Sequence, residues 1–178
     1  ISKHRDSAAL QKDNNANLTI DNATNTTPGT LTAQTYFTDY SKSGWGAGIG
    51  SGFGGSCSNI TINGGSVNAS SSGGAGIGSG LGSGPEMVSS SCSNITISDG
   101  SVNASSYYGA GIGSGDATNR TGSCSNITIS GGSVNAKIGC IPHQNLDSSG
   151  NYDPNSPNVY LCTIPNEGND PITIDNTH

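Results

Sequence analysis

The chain has 178 residues, enough for one domain. Hydrophobic residues make up 30% of it, well below the roughly 45–50% of ordinary globular chains (a figure that counts glycine), while its 28 glycines are about twice average usage. So little apolar material excludes a thick layered core, 10% charged residues exclude a highly charged disordered tail, and a net charge of −6 leaves no basic patch for nucleic acid.

Residues 1–16 are polar and aperiodic, and read as a leader or the worn end of a preceding coil. The chain starts at Ile1 with no signal-peptide pattern, which reads as a mature product or a fragment. No apolar run approaches the ~20 residues of a membrane helix, so no membrane insertion is expected.

From residue 17 a pattern sets in. Asn17-Leu18-Thr19-Ile20 is followed, after a long turn over 22–29, by Thr30-Leu31-Thr32-Ala33. Residues 34–45 lead to Trp45 and a first Gly-Ala-Gly-Ile-Gly box at 46–50. The next copies are cleaner. Cys-Ser-Asn-Ile-Thr-Ile begins at Cys57, Cys92 and Cys124, each followed by a glycine-containing turn and Ser-Val-Asn-Ala. The Asn starts at 17, 59, 94 and 126 are 42, 35 and 32 residues apart. From Cys57 to the box at Gly74, and from Cys92 to the box at Gly109, the distance is 17 both times. All length variation therefore falls in one connection per repeat, at 53–56, 81–91 and 116–123. Rigid walls with insertions on one side are the mark of a solenoid, in which each coil needs only a thin apolar line that its neighbours cover.

Within Asn-Ile-Thr-Ile the period is two, so both isoleucines point one way and Asn and Thr the other. The β-branched residues favour extended backbone. Gly64-Gly65, Asp99-Gly100 and Gly131-Gly132 supply the corner, and Ser-Val-Asn-Ala a second short strand. Stacking predicts inward ladders Ile60–Ile95–Ile127, Ile62–Ile97–Ile129, Val67–Val102–Val134, Ala69–Ala104–Ala136 and Ile49–Ile77–Ile112. Asn59–Asn94–Asn126 and Thr61–Thr96–Thr128 run outside, the Asn ladder adding side-chain bonds along the stack. The box glycines leave one face bare, open to another backbone or a partner surface. Beyond Ala136, Ile138-Gly139 reads as a worn box, 142–158 as loop, and Asn158–Ile164 and Pro171–Ile174 as strands. Residues 137–178 thus form an irregular cap or the start of a further module.

The box followed by Asn-Ile-Thr-Ile, Gly-Gly and Ser-Val-Asn-Ala resembles the repeats of bacterial cell-surface proteins built on right-handed parallel β-helices, some of them carbohydrate-binding or adhesin-like. The resemblance covers 46–136 well and 17–34 loosely. It implies an all-β, right-handed parallel β-helix of about four coils over 17–136, in a large, secreted, modular protein. Calcium-dependent members carry acidic side chains on coil turns. Here only Asp99 does, with Gly64 and Gly131 at the matching positions, so no metal ladder is expected.

Candidate chemistry is sparse. Polysaccharide-cleaving enzymes also use this fold, and a glycosidase needs two carboxylates ~5–5.5 or 6.5–9.5 Å apart. The repeat region offers Glu86, Asp99 and Asp116, all in turns or loops, with Arg120 as its one base, so no catalytic residue is assigned and the enzyme reading ranks last. The five cysteines fit no zinc spacing. Cys57, Cys92 and Cys124 hold one repeat position, as small apolar fillers. Cys140 and Cys162 are the pair best placed to bridge in an oxidising compartment. The three histidines are scattered, and the boxes lack the Lys and helix of a phosphate loop, so no metal and no cofactor are expected. Nine Asn-x-Ser/Thr sequons occur. Most lie within strands, where stacking explains them, and Asn119, in a loop, is the best acceptor. Sugars stack on aromatic faces, so Trp45, Tyr107 and Tyr108 are the candidate carbohydrate contacts. Trp45 and Tyr108 occupy equivalent positions before a box, with Gly73 between them, and the competing reading is that the rings cover a corner. The expectation is a non-catalytic extracellular or cell-surface module, a stalk or adhesive segment, with a polysaccharide or host glycan as candidate partner and no preference for an oligomeric state.

Overall fold

The structure, a computed structural model, describes residues 6–22, 27–35, 44–82, 90–116 and 123–139, with the backbone of two further strands at 160–164 and 172–176. Twelve strands form one curled sheet: β1 (Leu10–Gln11), β2 (Leu18–Ile20), β3 (Thr30–Thr35), β4 (Ile49–Gly50), β5 (Cys57–Ser71), β6 (Ile77–Gly78), β7 (Ser91–Ser106), β8 (Ile112–Gly113), β9 (Ser123–Ile129), β10 (Ser133–Gly139), β11 (Tyr160–Ile164) and β12 (Ile172–Asn176). Among the described residues there is no helix. Pairing between β1 and β10 is parallel throughout, each strand lying on its equivalent from the next coil. This is a right-handed parallel β-helix of the kind expected.

Each coil has three walls. The box gives the first, the Cys-Ser-Asn-Ile-Thr-Ile segment the second and Ser-Val-Asn-Ala-Ser-Ser the third, the last two joined inside β5 and β7 by bends at Asn63–Ser66 and its counterpart. The register reproduces every predicted column. Ile60, Ile95 and Ile127 stack, as do Ile62 with Ile97 and Ile129, Val67 with Val102 and Val134, and Ala69 with Ala104 and Ala136. The box column runs Ile49, Ile77, Ile112. All of these are buried, and together with Cys57, Cys92 and Cys124 they make one continuous core. Burying an isoleucine contributes roughly 1.5–3 kcal/mol, and each coil brings three.

The walls run past 17–136 at both ends. Ala9 and Leu10 donate from their backbone N–H groups to Ala47 O (3.1 Å) and Gly48 O (2.9 Å), which makes 7–12 a box without its glycines, inside the stretch read as leader or worn coil. Ile138 and Gly139 continue the box column on Ile112 and Gly113. Beyond it, β11 and β12 turn antiparallel onto β10 and β9, so they close the last coil without adding another.

One local expectation is corrected. Asn59, Asn94 and Asn126 are not extended but left-handed, with φ of 59°, 53° and 51°. Asparagine tolerates this region better than other non-glycine residues. The bend reverses side-chain parity, so Cys57 and Ile60, three apart, both point inward. The asparagine column itself is as predicted: Asn94 Nδ2 donates to Asn59 Oδ1 and Asn126 Nδ2 to Asn94 Oδ1, both at 3.1 Å.

The bare face of the box is filled by the chain itself. A methyl group on Gly76 would sit 2.7 Å from Gly111 O and 2.8 Å from Ser105 N, both backbone atoms that cannot yield. The first wall therefore lies directly on the third, and the tube is thin there. Ile95→Ala should cost about 2–5 kcal/mol in urea-induced unfolding by opening a cavity between two coils, whereas Thr96→Ala, in the next position but half-exposed, should stay within ~0.5 kcal/mol of wild type.

Candidate functional site

Most outward side chains of the second and third walls are short and neutral, and the asparagines among them are bonded along the axis. Besides the left-handed asparagines, Asn103 Nδ2 donates to Asn68 Oδ1 at 3.4 Å and Asn135 Nδ2 to Asn103 Oδ1 at 3.3 Å. Ser98 Oγ donates to Asn63 Oδ1 at 2.8 Å, and the Ser91 and Ser56 hydroxyls are 2.8 Å apart. Polar groups that satisfy each other from coil to coil are held in place rather than aimed at a ligand.

Among the described residues the smooth surface breaks at Tyr107. In the second and third coils eight residues separate the third-wall alanine from the box isoleucine, Ala69 to Ile77 and Ala104 to Ile112. In the last coil, Ala136 stacks on Ala104 and Ile138 on Ile112, only two residues apart. The last coil thus lacks the six-residue corner that would have covered Tyr107 and Tyr108. Tyr107 is 75% exposed, and its ring meets that of Tyr108 edge to face at 4.6 Å. Hydrogen bonds from Tyr107 N to Ser71 O (3.2 Å) and Tyr108 N to Ser72 O (2.9 Å) fix the backbone of this corner. Ser106 Oγ adds one bond to Gly74 O (2.6 Å) and accepts another from Gly109 N (2.9 Å). Beside the corner a shallow groove of about 320 Å³ runs over Asn103, Ser105, Ser106, Gly111, Asn135 and Lys137. The site thus combines a rigid aromatic rim with amides, hydroxyls and one ammonium.

Trp45 is not part of it. Its ring packs on Phe53, with centroids 4.9 Å apart. The space over Gly73, between the positions of Trp45 and Tyr108, is shared by Leu81 and Trp45, whose Cδ1 atoms lie 3.2 Å and 3.5 Å from where a Gly73 side chain would begin. The structure therefore brings Tyr107 and Tyr108 together and leaves Trp45 as the cover of another stretch of wall.

The acidic residues sit apart in the coil. Asp99, exposed on the corner between second and third walls, accepts the Gly100 N–H at 2.7 Å. Asp116 is buried beyond the box, its backbone bonded to Gly73 O and Gly82 N. Glu86, Asn119, Arg120, Cys140 and the loop at 142–158 lie outside the described residues, as does the side chain of Cys162. Among the described residues, no three His, Cys, Asp or Glu side chains converge as for a metal ion.

The cysteines form a column, Cys57 on Cys92 on Cys124, buried and unbridged. Cys124 Sγ donates to Gly139 O at 3.0 Å. Burial pushes the Cys57 thiol up from 9.0 to about 11, opposed by the Lys12 ammonium. That ammonium is held by Ser58 O at 2.6 Å, Asp13 O at 2.8 Å and Asn14 O at 3.3 Å.

Residues 60–81, 95–116 and 127–150 match the family model for the beta helix repeat. The three matched stretches fall on successive coils and agree with the parallel β-helix fold. Comparison with curated proteins and with solved structures gives no match.

A folded-state thiol held at a raised value keeps its proton after the unfolded chain has lost it. Stability from Cys57 is therefore complete below pH 9.0 and is lost as pH rises towards 11, by on the order of 2–3 kcal/mol. Thermal unfolding followed from pH 8 to 11 should show Tm falling above pH 9, with a shallower fall in Cys57→Ala.

Proposed function

We propose that this β-helix is a non-catalytic extracellular module, a stalk or adhesive segment of a cell-surface protein. The observation that carries the reading is the fate of the outward polar side chains: the asparagines of the faces, with serines such as Ser91 and Ser98, are spent on coil-to-coil bonds. A rod built so is stiff and offers little to a reacting substrate. The placing of Asp99 and Asp116 on different corners agrees with a role other than hydrolysis. Detection of this segment on intact producing cells by antibody would support the reading. Confinement to the cytoplasm, or release of sugars or unsaturated products from polysaccharides by the purified protein, would overturn it.

A second reading, carbohydrate binding, is favoured by the Tyr107–Tyr108 rim. Tyrosine rings give sugars an apolar face, and the groove beside them supplies amide and hydroxyl partners. Here the rim is the contact and the ladders are its support. On a glycan array the wild type should bind at least one polysaccharide or host glycan, and Tyr107→Ala should lose that signal tenfold or more while Trp45→Phe keeps it. Absence of binding by the wild type to every glycan would remove this reading and leave the structural one standing.

A further inference from the structure

The corner between the second and third walls carries a reactive pair in one coil that the others lack. It reads Asn63-Gly64-Gly65 in the second coil, Ser98-Asp99-Gly100 in the third and Ser130-Gly131-Gly132 in the last. Of these three, only the first sets an asparagine directly before a glycine. The amide carbon of an asparagine lies within reach of the next backbone nitrogen, and attack by that nitrogen closes a five-membered ring. Glycine leaves the approach open, since no side chain shields its nitrogen.

Three observations set Asn63 apart. Ser98 Oγ, from the neighbouring coil, donates to Asn63 Oδ1 at 2.8 Å, closer than its 3.4 Å approach to Ile62 O. A donor on that oxygen polarises the amide and stabilises the oxyanion that attack creates. The side-chain nitrogen also differs from those of the ladders. Asn94, Asn103, Asn126 and Asn135 each donate from Nδ2 to the asparagine one coil earlier, whereas among the described residues Asn63 Nδ2 donates no hydrogen bond. Last, the ladder is interrupted here. Asn63 pairs with Asp99 and the next pair is Ser66 with Ser101, so Gly64 has no partner in the register.

We propose that Asn63 and Gly64 form a self-modifying site, at which the folded chain converts Asn63 to aspartate and isoaspartate with Ser98 as the oxyanion donor. Gly64 N gives its proton to solvent base and bonds to Asn63 Cγ. The Cγ–Nδ2 bond then breaks, and the nitrogen takes up a proton and leaves as ammonia. Water opens the resulting succinimide at either carbonyl. The sum is an amide and water giving an acid and ammonia, with no change of oxidation state. Ring closure needs the deprotonated nitrogen, so the rate rises with pH. The isoaspartyl form lengthens the backbone where the register already shifts, so the columns on either side keep their places. The aspartyl form sets a carboxylate in register with Asp99, so the corner gains negative charge as the protein ages. The site rests on neither the stalk nor the glycan reading.

The test incubates the full chain at mildly alkaline pH and follows each asparagine by peptide mapping with mass spectrometry, with circular dichroism to show that the fold is kept. Asn63 should convert ahead of Asn59, Asn68, Asn94, Asn103, Asn126 and Asn135. Ser98→Ala should slow the conversion of Asn63 threefold or more in the folded protein. In urea, where the Ser98 contact is gone, variant and wild type should convert at the same rate. An intact Asn63 in the folded chain while the urea-unfolded chain converts would overturn the assignment. So would earlier conversion of a ladder asparagine, an unchanged or faster folded-state rate in Ser98→Ala, or an equal slowing of that variant in urea.

Discussion

Everything in this molecule depends on parallel register between successive coils. A thin tube has too little interior for side chains from opposite walls to form a thick core, so burial comes from neighbours along the axis. Ile95 and Ile97 are covered by the isoleucines of the coils on either side, and the amides of Asn59, Asn94 and Asn126 are bonded one to the next. A slip of one residue would turn every Ile to water and every Thr inward. The backbone hydrogen bonds and the columns therefore enforce each other. The glycines serve the same end, since the first wall reaches the third only where no side chain intervenes.

Much of this was legible in the sequence because the repeat is nearly exact where it matters. Identical residues at equal distances from each cysteine predict columns without any knowledge of the corners between them. The corners were harder. Asn59 sits in a run that alternates well from Ile60 onwards, and period two carries back over it. The signal against this was present: Cys57 and Ile60 are both apolar and three apart, which no extended segment can place on one face. The first wall of the first coil was hidden for another reason. Ala8, Ala9 and Leu10 carry the box without its glycines, and Gln11 stands where Gly50 stands one coil later. Among the described residues this wall has a coil against one side alone, so the close approach that selects glycine is shown on that side only.

The candidate site was legible in part. Ring positions before the boxes singled out Trp45, Tyr107 and Tyr108, and the structure separates them by what lies next to each. Leu81 joins Trp45 over Gly73, and Phe53 covers Trp45, contacts that arise from the variable connections and so leave no periodic trace. The exposure of Tyr107 follows from a count the sequence does contain, eight residues from Ala104 to Ile112 against two from Ala136 to Ile138. Its meaning depends on the register, which only the folded chain supplies.

The reversal of β11 and β12 has a wider consequence. Columns of like residues propagate because every coil presents the same residue order to the next. A strand running the other way presents that order backwards, so a further coil laid upon it would find Thr173 and Cys162 in mirrored sequence instead of matching rungs. The stack of identical side chains that makes this rod firm is also what lets fibrils grow without limit. At its C-terminal edge the rod carries its own terminator.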